Sequence, residues 1–542
     1  MPVRLFNLKS IFLPGFALIA LSSYIAPEAV AQNANTASET MPDIAEVPIS
    51  EQATWLKNGK TTSEQLVKAY LERIDRLDRK GPALNAVIAV MPDALEQARQ
   101  RDAEQATGRA RGPLHGIPVM VKDNIEVAGP VPTTAGSTAL LENITNRDAP
   151  MIARLKAAGA IILGKTNLSQ WANIRSSNST SGWSSVGGLV RNPYALDRNS
   201  CGSSSGSGAA AAASLAAGTI GTETDGSITC PAAINGLVGF KPTVGLVSRT
   251  YIVPISHSQD TAGPMTRTVR DTALMLTAMA GSDPMDKATQ DAGQYAVNFT
   301  KGLSATYLKN VHIGVMRDRI GSNAAIQAVF NSALKQLEKA GAILVDIQDT
   351  RAGLDEVGEA EFAVLMTELR ADMNTYLAST PPAVKTRTLA DLIAFNKENA
   401  GTELRWFGQD LFELAESQAG LDDNDYKAAR TKARTLAGPK GIDRLLRANN
   451  VRFLVGPTNG PAWVSDIVNG DNFGGPSQSQ LPAVAGYPHI TVPMGDIEGL
   501  PLGLSIIGTK WADHDVIRAG YAFEQASQAR KPPMYRQTVK ID

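Results

Sequence analysis

Residues 324–345 read AAIQAVFNSALKQLEKAGAILV. A helical pattern covers 324–340, Gly341 supplies the stop that a helix C-terminus favours, and Ala342-Ile343-Leu344-Val345 follows as a short apolar strand. The same grammar occurs earlier, in DAPMIARLKAAGAIIL at 148–163: a helix over 148–158, Gly159 as terminator, and a strand at Ala160–Leu163. Working outward, Ile117–Val121, Val311–Met316, Arg452–Val455, His489–Pro493 and Leu502–Ile507 read as further buried strands. Near the start, Thr61 and Glu64 have capping-box spacing before an apolar helical face of Leu66, Val67, Tyr70, Leu71, Ile74 and Leu77. Strands alternating with helices predict an α/β fold with a central sheet covered by helices. Residues 349–450 are helix-rich and charged and read as an insertion or a helical cover over that sheet.

The chain has 542 residues, 43% of them hydrophobic and 19% charged, with a formal net charge of -1. That is a globular composition with ample core, and its balanced charge excludes a nucleic-acid or anionic-membrane binder driven by bulk electrostatics. Residues 1–31 differ from the rest. Arg4 and Lys9 precede an apolar run from Ile11 to about Ile25, and Ala29-Val30-Ala31 offers small residues at a cleavage site. This pattern predicts a secretory signal peptide, followed by a flexible mature N-terminus at 32–45. The apolar run is broken by Pro14 and Gly15 and is shorter than the roughly 20 residues a membrane span needs, so no stable span is expected after cleavage. The expected location is periplasmic or secreted. Cys201 and Cys230 are the two cysteines; they are expected as buried or semi-buried thiols, although an oxidising compartment would allow a bond. No Cys/His cluster has zinc-ligand spacing.

Three segments carry chemistry. Cys201-Gly202-Ser203-Ser204-Ser205-Gly206-Ser207-Gly208 runs directly into an alanine-rich helix. It lacks the Gly-Lys-Ser/Thr ending of a phosphate loop, and its patterned flanks argue against a linker. Gly202-x-Ser204-x-Gly206 fits a nucleophile elbow, which needs a histidine base. His115, His257, His312, His489 and His514 all stay open as that base. The second segment, Gly221-Thr222-Glu223-Thr224-Asp225-Gly226-Ser227-Ile228, places a serine after a glycine in a tight turn whose backbone N–H groups can face an oxyanion. The third is HGIPVMVKDN, 115–124, in which Lys122 closes an apolar strand. At a solvated strand end Lys122 is an ordinary cation. Carried into the core it loses solvation, its pKa falls, and the neutral amine can act as a base.

Together these segments resemble the amidase signature family. The Ser/Gly loop, GTETDGSI and GFKPTVGLVSR (239–249) match its long signature, LHGIPVMVKDNI (114–125) its lysine segment, and GKTNLSQWA (164–172) and LPAVAGYPHITVPMG (481–495) its supporting motifs. The resemblance spans residues 50 to 530. It implies a single large α/β domain over 46–542, with a mixed central sheet covered by helices on both faces. It also implies a triad of Ser227 as nucleophile, Ser203 as bridging serine and Lys122 as base. The backbone amides of Thr224, Asp225, Gly226 and Ser227 would form the oxyanion hole, and the Ser203–Ser204 bond would be cis. Neither metal nor cofactor is implied, and no obligate protein partner. Asp225-Gly226 before the nucleophile, Ser205-Gly206-Ser207, RNPYALDRNSC (191–201) and PISHSQDTAGP (254–264) look like the peptide amidase branch. That branch removes the C-terminal amide of peptides, so a small-molecule or peptide amide is the expected substrate. A general aliphatic or aryl amidase and a non-catalytic binding protein on the same scaffold are the alternatives. Trp171, Trp183 and Trp463 are candidates for lining a substrate cleft, and Gln259 and Asp260 for supporting the loop or touching substrate.

Overall fold

The computed structural model describes residues 43–351 and 353–540. The expected leader at 1–31 and nearly all of the polar segment at 32–45 lie outside them. Helix α1 (Ser63–Arg73) opens on a capping box one residue later than the sequence predicts. Thr62 Oγ1 accepts from the Gln65 N–H at 3.1 Å, and Gln65 Oε1 accepts from the Thr62 N–H at 2.9 Å. Thr62 has the extended backbone that a cap needs, whereas Thr61 is buried with its hydroxyl turned onto Gln65.

Among the described residues, eleven strands form one mixed sheet. In chain order they are β1 (Val87–Val90), β2 (Pro118–Lys122), β3 (Ile161–Thr166), β4 (Gly218–Glu223), β5 (Val238–Lys241), β6 (Thr261–Thr266), β7 (His312–Met316), β8 (Ile343–Ile347), β9 (Phe453–Pro457), β10 (His489–Ile497) and β11 (Leu500–Ile507). Their spatial order is β1-β3-β2-β4-β6-β5-β10-β11-β9-β7-β8. Parallel pairing holds β2 to β3 and β4, and β7 to β8 and β9. Between these flanks the sheet is antiparallel, from β4 through β6, β5, β10 and β11 to β9.

The helices that frame the site are α2 (Pro150–Ala157), α3 (Ser205–Ala212), α4 (Thr229–Ile234), α5 (Ala324–Lys339), α6 (Leu354–Ala378), α7 (Asn424–Ala437) and α8 (Asp513–Ser527). The two predicted glycine stops follow α2 and α5 in left-handed backbone, Gly159 at φ 90° and Gly341 at φ 91°. Helices cover both faces of the sheet. A Cβ on Gly503 of β11 would meet Ala233 of α4 at 2.8 Å, on the Thr491 side of β10. A Cβ on Gly520 of α8 would meet Ile490 at 2.9 Å, and Ile490 and Thr491 point to opposite faces. Between β8 and β9 the chain is mostly helical. Its longest member, α6, buries Met366, Leu369 and Met373 against Leu140, Trp171 and Phe412. Among the described residues no helix is long and apolar enough to cross a membrane.

Candidate active site

Strand β2 is buried along its whole length, between β3 and β4, and delivers Lys122 into the interior at its C-terminal end. The Lys122 side chain is fully buried. Its Nζ lies 2.8 Å from Ser203 Oγ and 2.8 Å from Thr222 Oγ1, and Asn124 Nδ2 donates to the same Thr222 oxygen at 3.0 Å. Among the described residues no carboxylate pairs with this lysine. Burial pushes its pKa down to about 7, against the weaker pull of Asp260 and Glu223.

Ser203 sits in the loop leading into α3. Its carbonyl accepts from the Ser169 N–H at 3.0 Å. The cis peptide in this loop is Gly202–Ser203, not the Ser203–Ser204 bond that the resemblance implies. Gly202 lies against Ser169 and Ser181 with no room for a side chain, and lacking a Cβ it is the residue that can lead into such a bond. Ser204 is buried and trans to Ser203. Its hydroxyl donates to Thr222 O at 3.0 Å and accepts from the Thr222 N–H at 3.2 Å, so it is fully engaged with β4.

The segment after β4 forms the opposite wall. Glu223 Oε2 accepts from the N–H groups of Ile228 and Thr229 at 2.8 and 2.9 Å, pinching residues 224–227 into a loop ahead of α4. Gly226 turns at φ 79°, and Ser479 stands 3.1 Å from where a Cβ would be. The Ser204 N–H donates to Ser227 O at 3.2 Å, which ties this loop to the Ser203 segment. Ser227 is partly exposed. Among the described residues the N–H groups of Thr224, Asp225, Gly226 and Ser227 find no acceptor. Asp225 has a buried Oδ1 without a hydrogen bond, and burial pushes its pKa up to about 6.

Cys201 and Cys230 form a disulfide, with Cα atoms 6.1 Å apart, so the expectation of two thiols is overturned. They are buried as expected. The Ser203 loop folds back onto the first turn of α4, a juxtaposition that spacing along the chain does not reveal.

No histidine bonds Ser203, Ser204 or Ser227 among the described residues. His115 reaches Arg101 O, His489 is buried on Ser505 Oγ with its pKa pushed down to about 3, and His514 reaches Lys301 O. His312 begins β7 on the far flank. His257 lies between Asp372 (2.9 Å) and Glu368 (3.2 Å). These three bring ligand-type atoms within 4.8 Å of one another, but Glu368 is already occupied by Ser256, Ser258 and Tyr426 hydroxyls. The tryptophans are packed against phenylalanines: Trp171 on Phe412, Trp183 on Phe407 and Trp463 on Phe473. Gln259 and Asp260 support the loop. Asp260 accepts from Thr224 Oγ1 at 2.5 Å, and Gln259 Nε2 donates to Thr224 O at 3.3 Å. Missing from the sequence reading is Glu361, buried on α6, which accepts from Gln259 at 2.8 Å and from Gln480 at 3.0 Å. A cavity of about 370 Å³ adjoins Lys122 through Asn124 and Thr222 and extends past Asp260 to Tyr251 and Tyr376.

A family model described as Amidase matches residues 65–517. An Arabidopsis thaliana protein described as "Probable amidase" is 38% identical over 503 residues, covering 91% of this chain and 92% of that one. The crystal structure of native peptide amidase from Stenotrophomonas maltophilia has a TM-score of 0.86 at 48% identity, over 90% of this chain and 99% of that one. Peptide amidase PAM in complex with the competitive inhibitor chymostatin gives 0.87, also at 48% and with the same coverage. The chain therefore belongs to the amidase family and is a hydrolase of amide bonds.

Proposed function

We propose that the protein is an exported peptide amidase that removes the C-terminal carboxamide nitrogen of peptides through Ser227, Ser203 and Lys122. The observation that carries this reading is the 2.8 Å contact between Ser203 Oγ and a buried lysine held near neutrality by desolvation. Neutral Lys122 accepts the Ser203 proton while Ser203 accepts that of Ser227. Ser227 Oγ bonds to the amide carbon, and the carbonyl electron pair moves onto oxygen, facing the N–H groups of Thr224 to Ser227. Collapse of this adduct breaks the C–N bond; Ser203 protonates the leaving nitrogen, and ammonia departs. Water, deprotonated by the same relay, then releases the acid and frees Ser227. Asp225 beside the nucleophile disfavours a substrate carboxylate and selects the uncharged amide. The likeness to peptide amidases supports this substrate class, and the Cys201–Cys230 bond suits the oxidising compartment to which a signal peptide leads.

The test is ammonia release from a C-terminally amidated dipeptide, with the free acid identified by mass. Release is expected to vanish in Ser227→Ala and survive substitution of each histidine. Turnover of aryl or aliphatic amides alone would move the protein to the general amidases. Retained activity in Ser227→Ala would overturn the triad. Asp225→Asn is expected to strengthen inhibition by the free-acid product, and an unchanged inhibition constant would remove Asp225 from selectivity.

A further inference from the structure

Helix α6 turns three carboxylates toward one short loop. Glu361, Glu368 and Asp372 lie two turns and then one turn apart on the same helix face. Glu368 accepts from the Ser258 N–H and Oγ at 3.0 and 2.6 Å, and Asp372 from the His257 N–H at 2.7 Å. Glu361 takes the Gln259 amide at 2.8 Å. The loop in turn grips Thr224 twice, by Asp260 on its hydroxyl and by Gln259 on its carbonyl.

We propose that Glu361 is a positioning residue for the oxyanion-binding loop, acting through Gln259 on the peptide between Thr224 and Asp225. This rests on the reading of Ser227 as nucleophile. A trans peptide is planar, with its C=O and N–H pointing in opposite directions. Holding the Thr224 oxygen against Gln259 therefore aims the Asp225 N–H away from Gln259, and that N–H has no internal acceptor among the described residues. If the plane turned over, it would present an oxygen where a developing negative charge needs a donor. Burial, with Asp225 nearby, pushes the Glu361 pKa up to about 8, so the placement of its two oxygens on Gln259 and Gln480, rather than a full charge, makes the anchor. The other Glu361 oxygen accepts from Gln480, next to the Ser479 that packs on Gly226. One buried side chain thus braces the loop from two sides.

The test is steady-state kinetics of the full-length protein on the dipeptide amide, beside inhibition by a peptide aldehyde. Ser227 Oγ adds to the aldehyde carbon, the serine proton passes to the relay, and the new oxyanion lies where the amide adduct's oxygen would. Glu361→Ala and Gln259→Leu are expected to lower kcat by about 10- to 100-fold with KM unchanged, short of the full loss of one donor. Aldehyde affinity should weaken by a similar factor, and Glu361→Gln, which keeps an acceptor toward Gln259, should recover most of both. An unchanged kcat in Glu361→Ala would overturn the proposal. So would a lower kcat with undiminished aldehyde affinity, since loose packing alone does not discriminate for the oxyanion. Gln259→Leu carries the test if Glu361→Ala does not fold. Ser227→Ala in the same series separates the two readings: activity surviving there removes the nucleophile itself, whatever Glu361 does.

Discussion

Two lysines are buried side by side at the ends of parallel strands, and their surroundings differ. Lys122 ends β2 and Lys165 lies near the end of β3; both are fully buried. Lys165 is in register with Val121, so the two lysines point to opposite faces of the sheet. On one face Lys122 meets only hydroxyls and a carbonyl. On the other, Lys165 stands 3.2 Å from Asp123 and donates to Ile125 O at 2.9 Å. Burial pushes both amines down, but Asp123 opposes it for Lys165 and holds that charge. Both side chains are desolvated; what separates the proposed base from the paired lysine is the neighbouring carboxylate.

That contrast breaks first on catalysis. Lys122→Met is expected to lower kcat by about 10²- to 10⁴-fold, the usual contribution of a general base. Lys165→Met should stay within tenfold of wild type wherever it remains folded, and equal losses would erase the distinction. Stability should respond in the opposite order. Lys165→Met or Asp123→Asn strands a buried charge and is expected to cost about 3–5 kcal/mol in urea unfolding. Lys122→Met orphans no carboxylate and should cost much less. Its slope with pH sharpens the point: between pH 7 and about 10 the unfolded chain holds the Lys122 proton and the folded one does not. Wild-type stability therefore gains with rising pH relative to the methionine variant. The rate should follow the same titration. A base must be neutral, so kcat/KM is expected to rise with pH through a midpoint near 7, and a folded Lys165→Met should leave that midpoint in place. The smallest effect belongs to Thr222→Val. Its lost hydroxyl favoured the charged amine, so the midpoint should move to lower pH by less than about one unit.

Strands β3 and β8 on the parallel flanks were legible because each follows an amphipathic helix and a glycine stop, at Gly159 and Gly341. Half of the antiparallel centre was not. Strands β4, β5 and β6 read GTIGTE, VGFK and TAGPMT, short and rich in glycine and threonine. They are buried throughout, so no alternation of polar and apolar residues marks them. Lys122, Ser203 and Ser227 stood out because their segments are dense in unusual local sequence. Glu361 did not, because it lies more than a hundred residues from its partner on a helix that reads as cover. The available signal was three acids on one face of α6, where a buried helix should carry none without partners.

The bond between Cys201 and Cys230 encloses 29 positions of separation, and Ser203 and Ser227 both lie inside it. Closing a ring of that size removes conformations from the unfolded chain and contributes about 3–4 kcal/mol in the chain-entropy account. The ring also outlasts the fold. When heat or denaturant opens the cover helices, the two hydroxyls stay on one closed loop, and recovery becomes the rearrangement of a ring rather than a search between distant ends.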